Sequence, residues 1–296
     1  VGLPVRNGGA RVAQVVQSVL AQDHSDLELV ICDNASTDDT EEICRGLAGQ
    51  DSRIVYRRHS QNIGIVGNFM FALHTARGEY FRWIGDDDRL EASYVSKTLA
   101  EIESDPQRIL VTTQIAYQDP YGAIKVADGY DAGPMSSGDP LERLHAFLKL
   151  LNQSYLLVDP LYGLLVRRRV TVIPRRNMLR EDQVFATKLA LAGPWGHVPE
   201  VLAHRHTKTE TRQSVAKLLD APRWQARFAN ILQFSEIVRS VDQFDLTPAQ
   251  RRTARGLVRR AFVQRQATIA RHRARRVLSL VSPGGRGAGA ADPASA

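Results

Sequence analysis

Through the first ninety residues, short apolar β-rich runs alternate with segments of helical period, and no other feature narrows the possible folds as far. Residues 1–5 read as a strand, Arg6-Asn7-Gly8-Gly9 as a turn, and the next segment as a helix with Val12, Val15, Val16, Val19 and Leu20 on one face. LELVIC, residues 27–32, is a continuous apolar strand of the kind buried on both faces of a parallel sheet. Asp33-Asn34-Ala35-Ser36-Thr37-Asp38-Asp39-Thr40 follows it, with Ser36 or Thr37 placed to cap a helix that runs to about Leu47. Residues 54–56 form a third strand, and residues 62–68 lead into a helix ending near Gly78. A fourth strand, residues 79–84, runs straight into Gly85-Asp86-Asp87-Asp88. This order predicts an α/β doubly wound, mostly parallel sheet flanked by helices, with ligands bound at the carboxyl ends of its strands.

After Leu110 the spacing changes. LVTTQIAYQD reads as a strand, residues 129–140 as a loop rich in Gly, Pro and Ser, residues 140–151 as a helix, and LYGLLV as a further strand. Glu181-Asp182 opens a helix through Leu191; residues 223–241 and 248 to about 281 are helical, and PGGRGAGAADPASA reads as disordered. The expected divisions are a domain over 1–215, with halves 1–110 and 111–215, a helical Arg-rich extension over 216–281, and a tail over 282–296.

Composition removes several classes. No stretch approaches the roughly 18 uncharged apolar residues of a membrane-spanning helix, and the opening VGLPVRNGG lacks a signal-peptide pattern, so a cytoplasmic protein is expected. Cys32 and Cys44 are too few for a disulfide framework and lack zinc spacing. The 39 Lys and Arg against 32 Asp and Glu give a formal charge of +7. Ten of the arginines lie between Arg251 and Arg276 without an acid among them; without those ten, 29 basic residues face 32 acidic ones and the body carries −3. The basic character therefore belongs to the C-terminal helix. Phe262 is the one aromatic between Arg251 and Val281, which argues against nucleic acid as its partner. Two readings of that helix stay open: a peripheral contact with anionic lipid at the inner membrane face, and, slightly favoured, a packing helix with a solvated arginine face, at a homo-oligomer contact in one version.

Three adjacent carboxylates at the end of a buried strand repel one another in a partly dehydrated cleft unless a cation offsets them, so Asp86, Asp87 and Asp88 are candidate ligands for Mg²⁺ or Mn²⁺. A solvated acidic turn is the alternative. Asp33 and Asn34, at a strand's carboxyl edge, can meet a nucleobase imide and a ribose hydroxyl; a helix-capping turn is the alternative there.

Taken in order, a strand followed by N-G-G, then LELVICDNASTDDT, QNIGIVGN and GEYFRWIGDDD, resembles the family 2 glycosyltransferases with their GT-A nucleotide-sugar-binding fold, closely over residues 1 to about 90 and loosely to about 215. The resemblance implies that Asp33 and Asn34 contact base and ribose, that Pro4, Arg6, Asn7, Asn62 and Gly67 line the nucleotide, that Asp86 touches it too, and that Asp87 and Asp88 are the metal-side acids of a DxD motif. Many members carry a second Asp where this chain has Asn34, whose carbonyl can still accept N3–H of uracil or thymine. Glu181-Asp182 resembles the ED pair that holds the catalytic base, Asp182 first and Glu181 in reserve, with helix capping as the plain alternative. VPEVLAHRHTKTETRQS resembles the stretch that supplies a metal-binding His and basic residues over the diphosphate: His206, with His204 as fallback, and Arg205, Lys208 and Arg212. The implied activity is inverting, Mn²⁺- or Mg²⁺-dependent transfer from a UDP- or dTDP-sugar donor to a hydroxyl acceptor, saccharide or lipid-linked, in polysaccharide, glycolipid or glycoconjugate biosynthesis. Its rivals are an inactive nucleotide-sugar-binding or membrane-adaptor protein, and a sugar nucleotidyltransferase, whose Gly-rich basic phosphate loop is missing after the first strand.

Overall fold

The computed structural model describes residues 1–127, 129–153, 158–207, 211–219, 221, 222 and 224–281. Strands β1 (Gly2–Val5), β2 (Leu29–Asp33) and β3 (Ile54–Arg58) pair in parallel, with Val5 opposite Asp33 and Asp33 opposite Arg58. All five residues of β2 are buried, as its unbroken apolar sequence requires. Helices α1 (Arg11–Leu20), α2 (Thr40–Gln50) and α3 (Ile65–Thr75) make the crossovers. The turn into α1 needs glycine: a Cβ on Gly8 would lie 2.6 Å from both Val5 Cγ2 and Val12 Cγ2, and Gly9 sits at φ +50°.

The expected fourth strand is divided between two sheets. Gly2 donates its N–H to Arg82 O, and Ile84 N–H reaches Gly2 O, so residues 82–84 run along β1, while β4 (Tyr80–Phe81) pairs antiparallel with β8 (Leu164–Val166). From there the second sheet runs β4-β8-β6-β9-β5, with β5 (Arg89–Leu90), β6 (Leu110–Gln118) and β9 (Trp195–His206), and with β7 (Ile124–Val126) on β6. In this sheet β6 and β9 are parallel and the remaining pairs are antiparallel, so the parallel pattern read from the first third does not carry through the whole chain. β6 and β7 are joined by a short turn, which permits only antiparallel pairing.

Helix α4 (Tyr94–Glu103) covers β9 and β6. A short α5 (Gly133–Ser136) interrupts the expected loop; α6 (Pro140–Gln153), α7 (Arg167–Val170), α8 (Glu181–Ala192), α9 (Arg212–Leu218), α10 (Trp224–Ser240) and α11 (Pro248–Val281) follow. The expected LYGLLV strand begins instead as a 3₁₀ turn, Pro160–Tyr162, and extends only at Leu164. Ten of the twelve residues of α8 are buried, which makes it the helical centre of the larger core. That core joins Val30, Cys32 and Ala72 from the first third to Leu110, Phe147 and Phe185, and to Phe234, Ala254 and Val258 of α10 and α11. Both cysteines are free and buried, and burial pushes each thiol up to about 12. No helix among the described residues is long and apolar enough to cross a membrane.

Candidate functional site

The carboxyl ends of β1 and β2 and the segment after Ile84 meet at one edge. Pro4 is buried in β1 opposite Cys32, and Arg6 is exposed at the rim. Asp33, fully buried, has both oxygens engaged: Oδ1 accepts from Ser36 N–H at 2.8 Å and Oδ2 from the Tyr56 hydroxyl at 2.7 Å, with Arg58 Nε 3.6 Å away. Asn34 donates to Asn62 Oδ1 at 2.7 Å and Gly64 O at 3.2 Å, and accepts from Ile63 N–H at 2.8 Å. Asn34 thereby fastens the loop that enters α3, whose first turn holds Gly67. Asn7 accepts from Thr37 N–H at 2.9 Å and donates its own N–H to Ser36 Oγ at 3.0 Å. Ser36 and Thr37 therefore tie two loops together rather than capping α2, which starts at Thr40 without a side-chain cap.

The acidic triplet is answered by arginines. Arg11 Nη2 lies 2.8 Å from Asp86 Oδ2. Asp88 is buried; its Oδ2 accepts from Gly85 N–H at 3.0 Å and its Oδ1 faces Arg205 Nε at 3.3 Å. Arg205 also pairs with Asp159 and lies 3.8 Å over the Tyr162 ring. Burial pulls its pKa down, but Asp159 and Asp88 outweigh burial and hold it well above the ordinary range; burial likewise pushes Asp159 up, against the pull of Arg205.

The two histidines meet different partners. Arg89 stands opposite His204, whose Nε2 meets Glu91 Oε1 at 2.6 Å, while His206 Nδ1 reaches the Asp87 backbone O at 2.7 Å. His206 thus borders the triplet and His204 turns to Glu91. Asp carboxylates suit Mn²⁺ or Mg²⁺. Among the described residues no three His, Cys, Asp or Glu side chains close around one point, so any metal here would need substrate oxygens and water to complete its shell. Lys208 lies outside the described residues, as does the side chain of Arg212, the first residue of α9.

Glu181 and Asp182 open α8 after Arg180, which is left-handed at φ 62°. Arg175 clamps Glu181 through two 2.5 Å contacts, Nε to Oε1 and Nη2 to Oε2, with side-chain exposures of 3% and 8%. The Arg175 guanidinium is wrapped by Phe69, Trp83 and Phe185, with Cζ 5.5, 5.3 and 4.7 Å from their rings. Asp182 is half-buried, and burial, then Glu181, raises its pKa to about 6, with a further push from Asp159. Asn7, Ala35 and Arg180 are the described non-glycine residues at positive φ, and each flanks one of these clusters.

Asp159, Tyr162 and Arg175 escape a reading of sequence. Asp159-Pro160 looks like an ordinary turn, and Arg175 sits in the polar-looking run PRRN, whose burial no local pattern announces.

The chain matches the glycosyl transferase family 2 model over residues 1–169. A glucosyltransferase of Escherichia coli, WfaP, named for transfer from UDP-Glc to α-D-GlcNAc-diphosphoundecaprenol, is 32% identical over 90 residues, 30% of this chain and 35% of that protein. The chain spans well under half the length of the curated relatives it matches first. TarS 1–349 of S. aureus, solved with UDP, superposes with a TM-score of 0.61 at 16% identity, over 95% of this chain and 74% of that one. A mannosyltransferase of Pyrobaculum calidifontis, solved with GDP-Man and Mn²⁺, superposes at 0.55 and 15% identity, over 92% and 74%. These likenesses establish a shared fold, the GT-A arrangement. With the family match covering residues 1–169 of 296, the chain belongs to glycosyl transferase family 2.

Proposed function

We propose that this chain is an inverting glycosyltransferase that moves a sugar from a UDP- or dTDP-sugar to a hydroxyl acceptor, saccharide or lipid-linked. The observation that carries the reading is the division of labour between two adjacent acids. Glu181 is locked in a buried bidentate pair with Arg175, whereas Asp182 is half-buried with a pKa near 6, suited to a general base at neutral pH. Asp182 takes the acceptor hydroxyl proton as that oxygen attacks the anomeric carbon; the bond from that carbon to the diphosphate breaks with its electron pair, and the configuration inverts. Asp33, Asn34 and Asn62 shape the base and ribose end with Pro4, Arg6, Asn7 and Gly67, Asp86 adds a contact to the nucleotide, and Arg205, Lys208 and Arg212 draw on the charge of the departing diphosphate. Asp87, Asp88 and His206 would hold Mn²⁺ or Mg²⁺, which as a Lewis acid stabilises negative charge on the leaving group.

Support for the donor comes from relatives: UDP in the TarS complex, UDP-Glc in the name of WfaP, and Mn²⁺ beside GDP-Man in the mannosyltransferase. The test is turnover with a panel of UDP- and dTDP-sugars and Mn²⁺, parent against Asp182→Asn, with the anomeric configuration of the product read by NMR. Loss of turnover with UDP binding retained, and an inverted product from the parent, are expected; equal turnover in the variant or a retained configuration removes the reading.

A further inference from the structure

Helices α10 and α11 form an antiparallel hairpin. Arg255 pairs with Asp242 at 2.7 Å, and farther from the turn Phe234 packs against Phe262 with ring centroids 5.4 Å apart. Each helix is two-sided near the turn: Phe234, Ile237, Ala254, Val258 and Ala261 are buried in the body. The open end differs. There α10 turns Trp224, Phe228 and Ile231 outward at 54, 43 and 52% exposure, a spacing of i, i+4, i+7 that puts them on one helix face, and Leu218 of α9 is 57% exposed beside them in sequence. Beyond Phe262, α11 carries the exposed Arg271, Arg273 and Arg275.

Charge separates along this hairpin. Its three acids, Glu236, Asp242 and Asp245, all lie in the half nearest the turn, and Glu236 is buried between Arg176 and Arg239. Over residues 224–234 and 262–275 the charged side chains are Arg227, Arg265, Arg271, Arg273 and Arg275, and Lys217 precedes Leu218 on α9. An exposed aromatic and aliphatic ridge on a hairpin whose outer half is basic matches the surface that lies on an anionic bilayer, its apolar side chains at the headgroup boundary and its guanidinium groups on lipid phosphates. A second copy of the chain would set arginines against arginines, and nucleic acid would gain little from the aliphatic Leu218 and Ile231. We propose that the open end of the α10–α11 hairpin, led by Trp224, Phe228 and Ile231, is a docking surface for an anionic lipid membrane. It stands on these residues whatever sugar the chain transfers.

Trp224 provides its own probe, because the other two tryptophans, Trp83 and Trp195, are 0 and 1% exposed. The experiment mixes the full chain with vesicles of phosphatidylglycerol or of phosphatidylcholine at low salt, reading tryptophan emission and sedimentation together. Expected are a blue shift and co-sedimentation with phosphatidylglycerol alone, both reversed by high salt, and a shift abolished in Trp224→Phe. Phe228→Ser with Ile231→Ser, which alter exposed side chains only, should weaken partitioning about tenfold or more, as should replacing Arg271, Arg273 and Arg275 by Gln. No spectral change with phosphatidylglycerol, equal binding to both lipids, or full binding in these folded variants overturns the proposal. So does a Trp224 shift that follows protein concentration or added RNA instead of lipid.

Discussion

For Asp182 as the proposed base, the pKa sets the pH at which it can work. A base must be unprotonated, so with a pKa raised to about 6 by burial and by Glu181 its active fraction rises as pH climbs through 6. The kcat/KM profile should show an acid limb near pH 6, and Asp182→Asn should lose that limb while turnover falls by roughly 10²-fold or more. Arg175 acts one step away. It neutralises Glu181 inside an aromatic cage, so Arg175→Met leaves a buried uncompensated carboxylate and should cost about 3–5 kcal/mol in urea unfolding. Replacing both, Arg175→Met with Glu181→Leu, should recover most of that loss, because two apolar side chains need no counter-charge. Asp88→Ala should weaken UDP binding and remove its Mn²⁺ dependence in calorimetry; unchanged binding would assign the metal elsewhere. The ED pair is legible in sequence because adjacent acids at a helix start are local. The identity of the residue that holds Glu181 is not: Arg175 lies only six residues away, but Arg176 stands beside it and nothing in the run PRRN says which arginine is buried.

At the scale of elements, the first three strands and their helices follow from apolar runs and period, and the structure places them within a few residues of the reading. The second sheet does not, because β4 and β5 have two residues each and depend on partners far along the chain, β8 and β9. For α11 the sequence leaves two readings open, a lipid contact and a packing helix with a solvated arginine face. Ala254 and Val258 are fully buried, Asn152 donates to Ala261 O at 2.9 Å and Arg265 to Leu151 O at 3.2 Å, so this helix is part of the core up to about residue 265. A chain ending at Asp245 would strip a packed helix from Phe234 and Ile237. It should melt at least about 5 °C lower or lose cooperative unfolding, whereas a chain ending at Thr268 should keep the parent melting temperature, as followed by circular dichroism. The shorter truncation is therefore unsuitable for asking what the arginines touch, and the point substitutions on the hairpin's open end serve instead.

For the whole molecule, the larger core decides how the divisions read from sequence behave together. It takes Val30 and Ala72 from residues 1–110, Leu110 and Phe185 at and beyond that boundary, and Phe234 and Val258 from the helical extension. Side chains that share one packed interior cannot be exposed separately without opening cavities in what remains, so the described parts should unfold in a single transition. Nucleotide binding is then coupled to every part of that transition, because the proposed ligands lie on both sides of the core: Asp33 and Asn34 at the end of β2, Asp87 and Asp88 between the two sheets, and His206 at the end of β9. Ligand present at 100 times its Kd stabilises a protein by about 2.7 kcal/mol through mass action alone. For a chain of this size that is a rise of roughly 5 °C in Tm. UDP with Mn²⁺ should shift the whole melting curve upward by that order in differential scanning calorimetry, with the transition still single. UDP with a chelator should shift it less, since the triplet's carboxylates then face the diphosphate with Arg11 and Arg205 as their nearest cations. An equal shift with and without metal would leave Asp87, Asp88 and His206 with no part in binding the nucleotide.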